Sequence, residues 1–268
     1  MNIIIKLPLV LAENALFYFF PKSRRLVEKL YNPYFRKNYA EYIHGQYASF
    51  SKSVNKYKSL KKTRLLELGP GASVGFGLLA IKEGGLGTYY AIDENNHLNY
   101  KKTESLYLDL LGNKKNLEKA KSKVKMISFA KNYSYKMDNS TVDVIYSCAV
   151  LEHIKDLEHS ISEMTRVLKK GGIMYHSVDL KDHVFSKKSL FFLFIPQKIF
   201  NFLFGNTGLW VNRMRLSDYK VLFKKYNLKI LDLKVNEVWT DDLPFYLRKK
   251  YSLKDIIHLS FDVVLVKM

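Results

Sequence analysis

Short apolar runs and helical stripes take turns through most of the chain. Residues 65–68 (Leu-Leu-Glu-Leu), 88–92, 124–129, 142–148 and 173–178 each have the length and content of a buried strand. Between them apolar side chains recur three or four residues apart: Val74, Leu78 and Leu79, then Leu106, Leu110 and Leu117, then Leu157, Ile161, Met164 and Leu168. Lys169-Lys170-Gly171-Gly172 reads as the end of the last of these helices, with lysines in the final turn and glycine as the stop. Towards the C-terminus, Ser217-Asp218 cap a helix that shows Tyr219, Leu222, Phe223 and Tyr226 on one face. Two more strands are read at 228–238 and 261–267. The alternation predicts an α/β fold: a Rossmann-like, doubly wound, mostly parallel seven-stranded sheet with helices on both faces.

Two stretches fall outside that rhythm. Residues 1–20 are apolar in patches broken by Lys6, Pro8, Glu13 and Asn14, so no run approaches the eighteen or more residues of a spanning helix. Glu13-Asn14 and the lack of a small-residue cleavage site also fit a signal peptide poorly. Residues 22–37 add Lys22, Arg24, Arg25, Lys29, Arg36 and Lys37 around Leu26, Val27 and Leu30. The expected organisation is a basic, amphipathic, helical N-terminal extension over 1–60 and a domain over 61–268 with an insertion at about 180–215. The extension could lie on an anionic membrane face or pack over the domain. The insertion contains the Phe-rich segment 190–204, which could be core, a cover over the active site, or a membrane contact.

The richest chemistry lies between Arg64 and Asp93. Gly69-Pro70-Gly71 follow the first strand, where a turn against a ligand needs residues that reach positive φ. The next helix points its free N–H groups at whatever the turn holds. Asp93 ends the second strand, placed to accept from the hydroxyls of a ribose. A P-loop is excluded because no Gly-Lys-Ser/Thr follows the glycines. A dinucleotide fingerprint wants Gly or Ala where Val74 stands. Glu67 would repel a pyrophosphate but suits an ammonium or sulfonium.

Here the chain resembles the class I S-adenosylmethionine-dependent methyltransferases, whose first motif is an acidic residue, x, Gly, x, Gly. A second landmark is VDVIYSCAVLEHI, and RVLKKGG before the fifth strand completes the order. The resemblance implies S-adenosyl-L-methionine as cofactor, with Glu67, Gly69 and Gly71 on its methionine side and Asp93 on its ribose. It puts Ser147 at the ligand end of the fourth strand, and Phe129 and Ala130 against the adenine in place of a more usual acidic residue. Ser73 stands where many members have a third glycine. Members that use a metal read Glu-x-x-Glu-His at the fourth strand; with Ala149 in the first position, no metal is expected. Ser147-Cys148-Ala149-Val150 also departs from the Asp/Asn-Pro-Pro-Tyr/Phe of DNA amino-methylating enzymes.

A hydroxyl acceptor gains from a base within hydrogen-bond reach. The expected candidates are His176, Asp179 and His183 after the fifth strand, with His153 shaping the pocket floor. The HSVDLKDH segment followed by NRMRLSDY is similar to a bacterial subgroup associated with surface-polysaccharide biosynthesis. That implies a sugar or other small hydroxylated acceptor, with Arg213 and Arg215 free to grip a phosphate or carboxylate. The rival readings are a nicotinamide-dependent sugar dehydrogenase or epimerase, and a non-catalytic relative that binds a membrane or partner. The absence of a Tyr-x-x-x-Lys pair after the fourth strand weighs against the first.

Composition changes little of this. The single cysteine, Cys148, implies no oxidising compartment, and a cytoplasmic location is expected, with the inner face of the membrane left open. Basic residues exceed acidic ones by 19, but 36 of the 44 are Lys, where a phosphate-reading surface leans on Arg. Nucleic acid is therefore not the expected partner. The first 64 residues carry 13 basic and 3 acidic side chains, over half of the surplus.

Overall fold

The computed structural model describes residues 3–20, 23, 39–93, 100–130, 134–185, 190–243, 245–248 and 251–268. Most of the basic stretch 22–37 therefore lies outside the described residues. Seven strands form one sheet: β1 (Arg64–Leu68), β2 (Thr88–Ile92), β3 (Val124–Ile127), β4 (Val142–Cys148), β5 (Leu168–Asp179), β6 (Leu228–Val238) and β7 (His258–Lys267). Their order is β3-β2-β1-β4-β5-β7-β6. The first five run parallel, and β7 enters antiparallel between β5 and β6. The expected fold class is the one observed. The order reverses beside β1, so its carboxyl end opens at the switch point where such sheets hold ligands.

Strand alternation decides which side chain meets which layer. Leu65, Val144, Tyr146, Ile173 and Tyr175 bury on one face, under α2 (Tyr39–Val54), α3 (Gly75–Gly84) and α4 (Tyr100–Leu111). Leu66, Ile145, Met174 and Val178 bury on the other, under α6 (Leu157–Val167) and α8 (Leu216–Lys225). A short helix, α5 (Lys114–Lys121), precedes β3.

The boundaries differ from expectation in two places. The helix before β5 stops at Val167 and the strand starts at once, five residues earlier than 173. Lys169 is held at 2.7 Å by Asp143 of β4, and the pairing shifts between Val142 and Val144, so the lysines and glycines form an irregular strand entry. At α8 the cap sits earlier than Ser217: Arg215 N donates to Asp218 Oδ2 at 2.8 Å, while Ser217 N and Oγ are held by Asp255.

A third apolar cluster lies apart from both sheet faces. It joins Val10 of α1 (Ile3–Phe19) to the insertion, through Phe192, Phe200 and Phe204 around α7 (Gln197–Phe204), and to Leu247, Ile256 and Leu259. The Phe-rich segment is thus in part core. Helix α2, within the first 60 residues, contributes Ile43, Phe50 and Val54 to the cluster under β1. Among the described residues no helix is long and apolar enough to cross a membrane.

Candidate active site

The turn after β1 is built for close approach. Gly69 and Gly71 both have φ of 65°, a region where a Cβ is disfavoured. A Cβ on Gly69 would also lie 2.6 Å from Val150 Cγ2, so the turn is pressed against the loop leaving β4. Gly69 N donates to Ile92 O at 2.9 Å and Gly71 N to Asp93 Oδ2 at 3.1 Å. Asp93 and the glycines thus form one unit at the carboxyl ends of β1 and β2.

Beside this turn opens a cavity of about 190 Å³. Its lining includes Glu67, Gly69, Ser73, Phe76, Tyr146 and Cys148. Tyr39, Tyr42 and Gln46 of α2 close it from the N-terminal side. Glu67 is buried, and its carboxylate accepts a hydrogen bond from the Tyr89 hydroxyl. Burial pushes the carboxyl up to about 8; the Tyr89 bond opposes the rise and the neighbouring Asp93 charge adds to it. A Cβ at Gly77 would sit 2.2 Å from the Tyr89 ring, so this glycine lets α3 lie close over the residue that holds Glu67. Burial likewise raises the Cys148 thiol. Ala149 follows at φ 53°, an uncommon conformation for a residue with a side chain, at the cavity rim.

The Glu67 shift gives a stability prediction. The folded chain keeps this proton up to about 8, whereas the unfolded chain loses it near 4.5. Between those values the folded state binds more protons, so the Glu67 contribution weakens as pH rises. Glu67→Gln should therefore gain stability relative to the unmodified chain between pH 5 and 8, by on the order of a few kcal/mol without ligand. Urea midpoints of the two proteins at both pH values read the difference. A constant difference would mean that Glu67 is ionised throughout.

A second cluster gathers where β4 and β5 run out. Glu152 is buried, with Oε2 unpartnered and Oε1 accepting from Asp179 N at 3.3 Å; burial lifts its carboxyl to about 8. His153 Nδ1 lies 2.8 Å from Trp210 O; a carbonyl only accepts, so Nδ1 carries the proton and Nε2 is left as an acceptor. Burial lowers this imidazole. The His153 and His183 rings stand 5.0 Å apart, and His183 Nε2 is 3.5 Å from Asp179 Oδ2. Burial works to raise the Asp179 carboxyl, but bonds from His183 and Lys181 N outweigh it and hold it below the ordinary range. A small cavity of about 10 Å³ touches Glu152, Asp179, Lys181 and Asn212. Glu152, His153 and His183 each offer one ligand atom, all within 4.8 Å of one another, so they could hold a metal ion. Their positions after the fourth and fifth strands already gather these residues at one end of the sheet as candidate bases, whereas no metal is expected from the sequence.

Thus Glu67, Gly69, Gly71 and Asp93 come together at one site, and His153, Asp179 and His183 at another. Ser147 and His176 belong to neither. They pair across β4 and β5 on the face away from Glu67, with Ser147 Oγ 2.7 Å from His176 Nδ1. Both are wholly buried, His176 Nε2 has no partner, and burial drives the ring down to about 3. His176 therefore has no path to an acceptor, and of the two residues that end β4 it is Cys148, not Ser147, that lines the cavity.

Of the two arginines, Arg215 is also corrected. Arg215 is 1% exposed and donates to the carbonyls of Leu180, Ile256 and His258, tying the end of β5 to the start of β7. Arg213 donates to Phe192 O, Ile195 O and Gln197 Oε1 and lies over the Phe200 ring. Arg215 is thereby committed to the fold rather than to a ligand anion, whereas Arg213 holds the insertion and also lines the small cavity beside Glu152 and Asp179. Phe129 packs edge-on against Tyr135 at 5.6 Å, and Ala130 N donates to Ser134 O. Neither lines the cavity at Glu67.

Tyr39, Tyr42, Gln46, Tyr89 and Gly77 are contributors that the motifs did not reveal. A two-residue period anchored on Glu67 carries part of the signal. Glu67, Tyr146 and Tyr175 are register partners on one face, whereas Ser147 and His176 fall on the other.

Residues 36–233 match a family described as a methyltransferase domain. The ubiquinone biosynthesis O-methyltransferase of Pelagibacter ubique (strain HTCC1062) is 29% identical over 128 residues, 45% of this chain and 51% of that protein. The chain thus spans about half the length of the curated relative it matches. Among solved structures, a Galdieria sulphuraria protein assigned as a sarcosine dimethylglycine methyltransferase superposes with a TM-score of 0.57 at 15% identity, covering 83% of this chain and 85% of the other. A Haemonchus contortus phosphoethanolamine N-methyltransferase 2, in complex with S-adenosyl-L-methionine, gives 0.52 at 17% identity, covering 87% and 58%. At these identities the likeness is one of fold.

Proposed function

On the premise that the chain belongs to the methyltransferase domain family, we propose that it transfers a methyl group from S-adenosyl-L-methionine to a hydroxyl of a sugar or similar small acceptor. The observation that carries the cofactor is the buried Glu67 carboxyl in the cavity beside the glycine turn. An isolated carboxylate costs too much there to ionise unpaired, and a cationic ligand supplies the missing charge. Ammonium and sulfonium groups meet that need; a pyrophosphate does not. Asp93 would take the ribose hydroxyls, and Phe129 and Ala130 the adenine side.

Methyl transfer is an in-line displacement whose reactivity comes with the cofactor, so the chain mainly has to align nucleophile, methyl and leaving sulfur. In this reading Asp179 and His183 act on the acceptor side: the carboxylate orients the imidazole, and the imidazole takes the hydroxyl proton. His153, with Nε2 free, stands next to it. The likeness of HSVDLKDH and NRMRLSDY to chains of surface-polysaccharide assembly supports a glycan acceptor. A second reading is favoured by the Glu152, His153 and His183 grouping, where a divalent cation would take the acceptor hydroxyl as ligand.

The test is a screen of nucleotide sugars and simple glycosides for S-adenosylhomocysteine release, run with and without a chelator. Acceptor-dependent release that survives chelation supports the base reading, and release lost on chelation and restored by a divalent ion supports the second. Release with amine acceptors alone would contradict O-methylation.

A further inference from the structure

Among the residues of helix α1 whose burial is described, apolar side chains lie on two sides, and one of these is covered. Val10 and Phe17 turn inward, Val10 joining the Phe200 and Phe204 cluster. Asn14 fastens the helix to the insertion: Nδ2 donates to Phe202 O at 2.9 Å, and Oδ1 accepts from Asn206 N at 3.0 Å. On the other side Leu9, Ala12, Leu16 and Phe19 follow one another at helical spacing, all exposed. Phe19 is 71% exposed, and on neighbouring α7 Phe202 is 80% exposed beside the exposed Ile199. Scattered surface hydrophobics need no explanation, but here they concentrate on two helices packed together.

Charge says what would cover this face. The residues that follow α1 in sequence, 22–37, carry six bases and one acid. Exposed Lys198 stands beside Ile199 on α7. A second copy of a chain with net charge +19 would add more of the same charge, whereas an anionic bilayer brings the opposite. At 17 residues, α1 suits lying in the headgroup boundary with aromatic side chains inserted, not crossing the bilayer. We infer that the exposed faces of α1 and α7 form one docking surface for an anionic lipid bilayer. The surface uses no residue of the two sites above, so it stands apart from the proposed reaction.

The full chain is sedimented with vesicles of phosphatidylcholine alone and of phosphatidylcholine with 30 mol% phosphatidylglycerol, a surface whose negative potential attracts basic residues. At least tenfold tighter binding to the anionic vesicles is expected, falling as salt rises through the range that shortens the Debye length. Phe19→Asp combined with Phe202→Asp should lower that binding at least tenfold while leaving the unfolding midpoint close to that of the parent chain. Equal binding to both vesicle types, or undiminished binding by the double variant, would overturn the inference. So would a lipid-free dimer that Phe202→Asp makes monomeric and that stays in the supernatant with vesicles present. That outcome would identify the face as an interface between copies.

Discussion

Asp179→Ala and His183→Ala are each expected to cut turnover of an identified acceptor by about two orders of magnitude, within the 10²- to 10⁴-fold that a general base supplies. The geometry behind this is a carboxylate held below its ordinary range, 3.5 Å from an imidazole, at the carboxyl end of β5. Removing the imidazole takes away the proton acceptor. Removing the carboxylate leaves the ring without the charge that orients it. Affinity for S-adenosylmethionine should stay within a few-fold, because the residues proposed to hold the cofactor lie on β1, β2 and the turn between β1 and α3. His176→Ala should leave the pH profile of turnover unmoved, since its ring faces Ser147 inside the sheet. Single-turnover rates and equilibrium binding on the same variants separate the two effects. If Asp179 and His183 variants keep parental turnover while His153→Ala does not, the proton goes to His153 instead.

Arg215→Met should lower stability by at least about 3 kcal/mol, since buried carbonyls left without partners cost roughly 1–3 kcal/mol each. At this chain length that is on the order of 10 °C in Tm. The side chain donates to Leu180 O, Ile256 O and His258 O from a buried position, and burial has already brought its guanidinium down to about 10. Lysine should not rescue it, because one ammonium cannot reproduce a planar fork bonded to separate carbonyls. Thermal unfolding of Arg215→Met and Arg215→Lys gives the answer. An unchanged Tm with a raised acceptor KM would restore the anion-gripping role that the sequence suggested.

Two arginines after an insertion, near a candidate site, look available for a phosphate, and nothing local says otherwise. Their partners are main-chain carbonyls 35 to 43 residues away for Arg215, and no side-chain pattern advertises a carbonyl. The strands and the glycine turn were legible because they depend on neighbours: β4 and β6 have the bounds their apolar runs predict. The Glu67, Gly69, Gly71 and Asp93 grouping was legible because a single turn and two adjacent strands make it. Ser147 and Cys148 show the limit of that reasoning. Both end β4, but a one-residue step reverses the face, and only register with Glu67 tells which one meets the cavity. Tyr39, Tyr42 and Gln46 were hidden for the same kind of reason, since α2 reaches the cavity by packing back over α3 and β5, with Phe50 against Tyr146 and Tyr175.

The most direct test of the account is isothermal titration of the unmodified chain and of Asp93→Ala with S-adenosylmethionine, and of the unmodified chain with NAD. Saturable binding of S-adenosylmethionine and none of NAD is expected. At least a tenfold loss is also expected on removing Asp93, from hydrogen bonds to a charged acceptor worth about 1.5–3 kcal/mol. Binding of NAD in preference, or an Asp93→Ala dissociation constant equal to that of the unmodified chain, would contradict it.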